Sequence, residues 1–264
     1  MLKRATVVFF LLSLAAMVLV GQETKLEYKF KLGDVMHRRA VTQNTITAEM
    51  IPGGSQTSEM TMYSTETIDS VLADGSGRVY LVVDSVTTTV NGKPMASNPQ
   101  GNLAGAKFRI VKSKLGKTVD VETVGELSPA MKMAAESYKQ NLTTSPGYPD
   151  KAVKPGDAWD QEIPMTQRTM GGEMKMTLKL HFVFSGMEQQ LGYDCAALKV
   201  TGTIKGEGAQ AKFDGTLKGT RYFATKQGME VKGLMDTDMN IEADTPQGPQ
   251  TMVNKTTQKS ELVK

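Results

Sequence analysis

The chain has 264 residues, 39% of them hydrophobic and 22% charged, with a formal net charge of +3 at pH 7. Lys3 and Arg4 carry two of those three net charges, so the rest is close to neutral and offers neither a nucleic-acid groove nor a polybasic membrane patch. A single cysteine, Cys195, excludes an internal disulfide, so stability must come from sheet and core.

Lys3 and Arg4 precede an apolar run from Ala5 to Val20, and polar sequence begins at Gln22. That is the layout of a secretory signal peptide over residues 1–21. The run is shorter than the roughly 20 apolar residues that a membrane span needs. Gln22 stands where a lipoprotein signal would place a cysteine, so no lipid anchor is expected. The expected location is therefore the periplasm or the exterior, with no stable membrane span after cleavage. The cut after Gly21 lacks a clean A-x-A pattern, which leaves an uncleaved anchor as the alternative.

Alternation of apolar and polar residues then dominates, in segments rich in Thr, Val, Tyr and Ile. It predicts strands at 24–32, 35–50, 56–72, 78–91, 106–113 and 117–125. Turns between them carry Gly, Asn or Asp, as at Pro52-Gly53-Gly54 and Asn91-Gly92. Leu127-Ser128-Pro129 places an N-cap serine before a proline at the first helical position, and Met131, Ala134, Ala135, Tyr138 and Leu142 follow at helical spacing. One helix is expected near 128–142. Residues 143–157, with Pro146, Pro149 and Pro155, read as a linker.

Further strands are expected at 158–169, 195–206, 209–217, 219–226, 229–243 and 250–259. The clearest is Glu173 to Phe184, where Met174, Met176, Leu178, Leu180, Phe182 and Phe184 share one face and His181 lies on the other. Cys195 starts a strand and reads as a small buried hydrophobe. The expected fold is mainly β: long antiparallel strands in an open barrel or half-barrel with one covering helix. Two lobes, 22–142 and 158–264, are expected to pack as one domain. They carry three echoes in the same order: Lys31-x-Gly33-Asp34 with Lys154-x-Gly156-Asp157, Glu59-Met60-x-Met62 with Glu173-Met174-x-Met176, and Lys114-x-Gly116-x-x-Val119 with Lys226-x-Gly228-x-x-Val231. Such echoes are the signature of an internal duplication.

Pro149-x-Lys151-x-Val153-x-x-Gly156-Asp157-x-Trp159, standing between two runs of long strands after Lys31-x-Gly33-Asp34, resembles a family of exported bacterial β-rich proteins of unknown function. The resemblance implies a signal-bearing envelope protein with no established catalytic residues. Sheets of this kind look like the open barrels of lipoprotein carriers, an analogy of fold that does not fix function. In the motif itself, Gly156 suits a tight turn, Asp157 can bind nearby amides, and Trp159 enters the core or lines a pocket.

No catalytic constellation is present. His37 and His181 belong to no zinc pattern, no Gly-x-Ser-x-Gly elbow occurs, and Asp236 and Asp238 read as a solvated acidic face. The chain is read as a non-enzymatic protein without cofactor or metal. Its 18 methionines are the odd feature. Met is flexible and polarizable, so a half-barrel lined by Met60, Met62, Trp159, Met174, Met176, Leu178 and Leu180 suits a lipid or another apolar small molecule. The bland reading is that these residues fill an ordinary core. A second function is a structural or protein-interaction module of the envelope, with another envelope protein as partner, using sheet edges and the Asn91–Gly105 loop. A third is a Met-based copper binder, since thioethers are soft ligands.

Overall fold

In the computed structural model the described residues are 23–95, 103–169, 172–208, 211–245 and 248–263. The expected signal segment and residues 96–102 of the Asn91–Gly105 loop lie outside them. The described residues form twelve strands and one helix. The first meander runs β1 (Val35–Thr47), β2 (Ser55–Val71), β3 (Gly77–Val90), the short β4 (Lys93–Pro94), β5 (Lys107–Lys112) and β6 (Thr118–Thr123). Helix α1 (Pro129–Thr143) follows. The second meander runs β7 (Ala158–Thr169), β8 (Gly172–Gln190), β9 (Tyr193–Gly208), β10 (Ala211–Ala224), β11 (Met229–Thr245) and β12 (Gly248–Val263).

All twelve strands belong to one antiparallel sheet, in the order β6-β5-β3-β2-β1-β12-β11-β10-β9-β8-β7, with β4 beside β3. The two meanders join where β1 pairs with β12, from His37 opposite Val263 to Thr47 opposite Val253. The sheet ends at β6 and β7 without closing, which makes an open barrel.

Cross-strand partners share a face, so the register shows which residues look inward. One row runs Met62, Ala40, Ser260, Gly233, Arg221, Leu198, Phe184 across seven strands. Against this inner face α1 packs Met131, Ala134 and Tyr138, with Leu127 just before it, on a core that includes Val83, Phe108 and Ile110. The helix begins as its sequence requires: the Ser128 hydroxyl accepts the Met131 amide at 3.3 Å, with proline behind the cap.

Two elements differ from the sequence reading. Residues 24–32 form no ladder beyond a bridge from Thr24 to Val153. They act as a strap that bonds to turns: the Tyr28 amide donates to Lys114 O at 2.7 Å and the Lys29 amide to Gly228 O at 3.0 Å. Phe30 lies where a Cβ at Gly77 would sit, 2.3 Å from its Cγ, so only glycine there admits the strap. Residues 209–217 and 219–226 are not two strands: β10 is continuous from Ala211 to Ala224, and Gly219 is paired with Val200 and Met235 inside it. The glycine serves close backbone approach, since a Cβ there would meet the Leu234 carbonyl oxygen at 2.1 Å.

The Lys-x-Gly-Asp turns before β1 and β7 are built alike. The Asp34 amide donates to Lys31 O at 3.1 Å, and the Asp157 amide to Lys154 O at 2.9 Å. Gly33 donates to Ile68 O and Gly156 to Phe184 O, while Ile68 and Phe184 donate back to Asp34 O and Asp157 O. Both glycines hold positive φ, +85° and +95°. Asp157 also accepts the Lys154 amide on its carboxylate at 3.0 Å. The third pair of echoing segments forms the β5–β6 and β10–β11 turns, and these two turns hold the neighbouring strap residues Tyr28 and Lys29.

Candidate functional site

The strap, the 143–157 segment and several turns close one end of the open barrel. Tyr148 and Val153 of the 143–157 segment are 3% and 1% exposed, so both are packed into the body of the protein. Leu26, Tyr148, Phe184, Leu198 and Phe223 form one cluster there, with Tyr28 against it. The Tyr28 ring meets Phe223 edge-on at 5.3 Å, and Tyr148 meets Phe223 at 5.0 Å.

Among these rings lies a buried ionic network on the inner face. Arg38 of β1 pairs with Glu66 of β2 at 3.0 Å and donates to the Glu230 carbonyl at 3.1 Å. Arg221 of β10 grips the Glu230 carboxylate through Nε at 3.0 Å and through Nη2. Tyr148 donates its hydroxyl to the same carboxylate oxygen at 3.3 Å. All four charged side chains are less than a fifth exposed. Burial alone would raise the Glu230 carboxyl, but the Arg221 charge and hydrogen bonds outweigh it and hold the group below the usual glutamate range. Burial pushes the Tyr148 hydroxyl well up, so it stays a neutral donor.

Beside the network opens a cavity of about 870 Å³. Its apolar wall includes Phe30, Met36, Ile68, Val79, Met229 and Leu262, drawn from the strap, β1, β2, β3, β11 and β12. Its charged lining is mostly cationic: Lys29, Lys31, Arg38, Lys112 and Lys226 stand against Asp34 and Glu66, with His37, Gln227, Tyr28 and Tyr193 as further polar neighbours. Lys112 Nζ sits 4.6 Å over the Tyr28 ring.

The residues expected at a ligand site lie elsewhere on the same inner face. Trp159 is half-buried and stacks on Phe182 at 5.3 Å with rings 4° from parallel. Leu178 and Leu180 join it in a cluster with Val200 and Leu217. Met174 is buried at 6% exposure, and Met176 is half-buried opposite Met165. Met62 packs on the helix-covered core, and Met60 is half-buried opposite Thr42 and Thr88. Five strands separate β2 from β8 in the sheet, so the two methionine pairs belong to different parts of the barrel. The lining of the 870 Å³ cavity draws instead on Met36 and Met229.

Sequence reasoning passed over Arg38, Glu66, Arg221 and Glu230. A usable signal was present: Arg38 falls at even spacing between Met36 and Ala40, on the face that alternation assigns to the core. The other chemistry-bearing residues are placed simply. Cys195 is fully buried, and burial pushes its thiol up. His181 is half exposed and bonds Asp160 at 2.7 Å. Among the described residues no three His, Cys, Asp or Glu side chains converge as a metal site, and no helix is long and apolar enough to cross a membrane.

No family model matches the chain, and no curated protein matches it. Among solved structures it is similar to lipovitellin, in a structure concerned with that protein's lipid–protein interactions, at 10% identity and a TM-score of 0.44. That likeness covers 89% of this chain and 25% of the other, so the chain spans about a quarter of that length. It is also similar to an exported protein with a YmcC-like fold from Bacteroides fragilis, at 14% identity, a TM-score of 0.34 and coverage of 90% and 97%. A BenF-like porin from Pseudomonas fluorescens matches at 7% identity and a TM-score of 0.22, over 88% and 100% of the chains. At these scores the likenesses assign no ligand and no role.

Proposed function

We propose that this chain is a non-enzymatic protein of the cell envelope that binds an apolar ligand such as a lipid. The observation that supports this reading is the cavity of about 870 Å³ at the strapped end of the barrel. Small-molecule pockets run from roughly 300 to 1,000 Å³ and are mostly apolar with a few placed polar groups. Phe30, Met36, Ile68 and Val79 supply such a wall, and two methionines in the lining allow it to fit varied shapes. The Met/Leu/Trp face of β7 and β8, with Trp159, Met174, Met176, Leu178 and Leu180, extends the apolar interior beyond the cavity, as do Met60 and Met62 on β2.

Met36 lines the cavity from the inner face of β1 and is only half-buried, so a larger side chain there fills the space. The wild-type protein is expected to take up the neutral apolar probe N-phenyl-1-naphthylamine with enhanced fluorescence. Met36→Trp is expected to lose most of that signal while keeping a cooperative melting transition, at a cost of about 1–3 kcal/mol for the added bulk. Equal signals from the two proteins, or no uptake by wild type, count against the reading.

A further inference from the structure

We infer that the ligand of this cavity is an anionic amphiphile: a single acyl or alkyl chain ending in a carboxylate or phosphate. This rests on the binding reading above and adds the class of ligand. The cavity wall is apolar, which serves a chain. Its charged lining is unbalanced. Glu66 is already satisfied by Arg38 at 3.0 Å, and Lys226 by Asp194 at 3.0 Å. Lys29, Lys31 and Lys112 remain, and none has a carboxylate within 4 Å among the described residues. Lys29 donates to the neutral carbonyls of Thr225 and Lys226 at 3.3 and 3.2 Å, and Lys112 rests on the Tyr28 ring. Asp34 is the one acidic lining residue outside the Arg38 pair. Lys29 and Lys112 with neutral close partners, and the exposed Lys31 beside them, line the cavity next to an apolar wall. They form a place for one anionic head with its chain against Phe30, Ile68 and Val79, and the buried Glu230 carboxylate is a further charge that Lys112 feels.

A neutral alcohol of equal chain length separates the head from the chain. Palmitate, hexadecyl phosphate and hexadecanol are titrated against protein that an expression host has exported and that is purified without detergent, with inorganic phosphate alone as a fourth probe. Palmitate, hexadecyl phosphate or both are expected to bind about tenfold or more tightly than hexadecanol, the scale of one charge-assisted hydrogen bond. Whichever of the two binds tighter identifies the head. Lys31→Gln/Lys112→Gln is expected to bring the anionic ligands down to the level of hexadecanol and leave hexadecanol unchanged. Lys31 is exposed, so Lys31→Gln alone still reads a several-fold loss if the double variant fails to fold.

Hexadecanol binding as tightly as both anionic ligands overturns the inference while the apolar-ligand reading stands. So does a double variant that keeps the wild-type preference. Inorganic phosphate binding as tightly as hexadecyl phosphate shows a free-anion site and overturns it as well. Failure of every chain-bearing probe to bind removes both readings.

Discussion

Glu230→Ala is expected to destabilise the protein by about 3–5 kcal/mol, the cost of leaving a buried charge without its partner. Glu230 receives Arg221 and Tyr148 on its carboxylate and Arg38 on its carbonyl. Alanine keeps the carbonyl but strands the Arg221 guanidinium, whose side chain is 14% exposed. Urea denaturation measures the loss. Arg221→Met/Glu230→Leu is expected to lose less than Glu230→Ala, because apolar replacement of both partners removes the uncompensated charge. A loss under 1 kcal/mol in the single variant contradicts the buried network. The pH dependence carries the same test. A carboxyl held low in the folded state stabilises above its unfolded pKa of about 4.3, and that contribution disappears as pH falls through the folded value. Wild type should therefore lose more stability on acidification below about pH 4 than Glu230→Gln does.

Gly219→Val is expected to cost about 3 kcal/mol or more, at or above the usual range for overpacking. A Cβ at Gly219 would stand 2.1 Å from the Leu234 carbonyl oxygen and 3.0 Å from Met235 Cα. Both are backbone atoms, so no side-chain rotation relieves the clash. The neighbouring exposed Lys218 is the control: Lys218→Val should stay within about 0.5 kcal/mol of wild type. Equal losses at the two positions contradict the close approach. The role extends to other inner-face glycines. Gly202, Gly206 and Gly215 pair with Leu217, Phe213 and Ile204, so small residues face large ones where β8 to β11 pass close together. Glycines placed this way let a sheet bend into a barrel.

These particulars mark what was legible. Alternation located most strands within a few residues, because a half-buried strand repeats every second residue. The helix start was legible because Ser128 and Pro129 are local signals. The strap was misread as a ladder strand: Leu26, Tyr28 and Phe30 alternate like one, yet their backbone bonds to turns remote in sequence. Two strands, 209–217 and 219–226, were expected where β10 is one, because the Lys218-Gly219 step interrupts the apolar pattern without turning the chain. The inward set on β8, from Met174 to Phe184, was read directly from its period. The cavity was not, since its lining converges from the strap, the ends of β1, β2 and β12, and two remote turns. Arg38 and Glu66 are 28 residues apart in sequence, and nothing local announces that they meet.

Native mass spectrometry of the protein, purified gently from its own host and compared with its denatured mass, tests the central claim most directly. An added mass of a few hundred daltons that leaves on denaturation, and that is lost in Met36→Trp, is the predicted result. A bare polypeptide mass in both states contradicts a lipid-binding role and shifts the assignment to a structural or interaction module of the envelope.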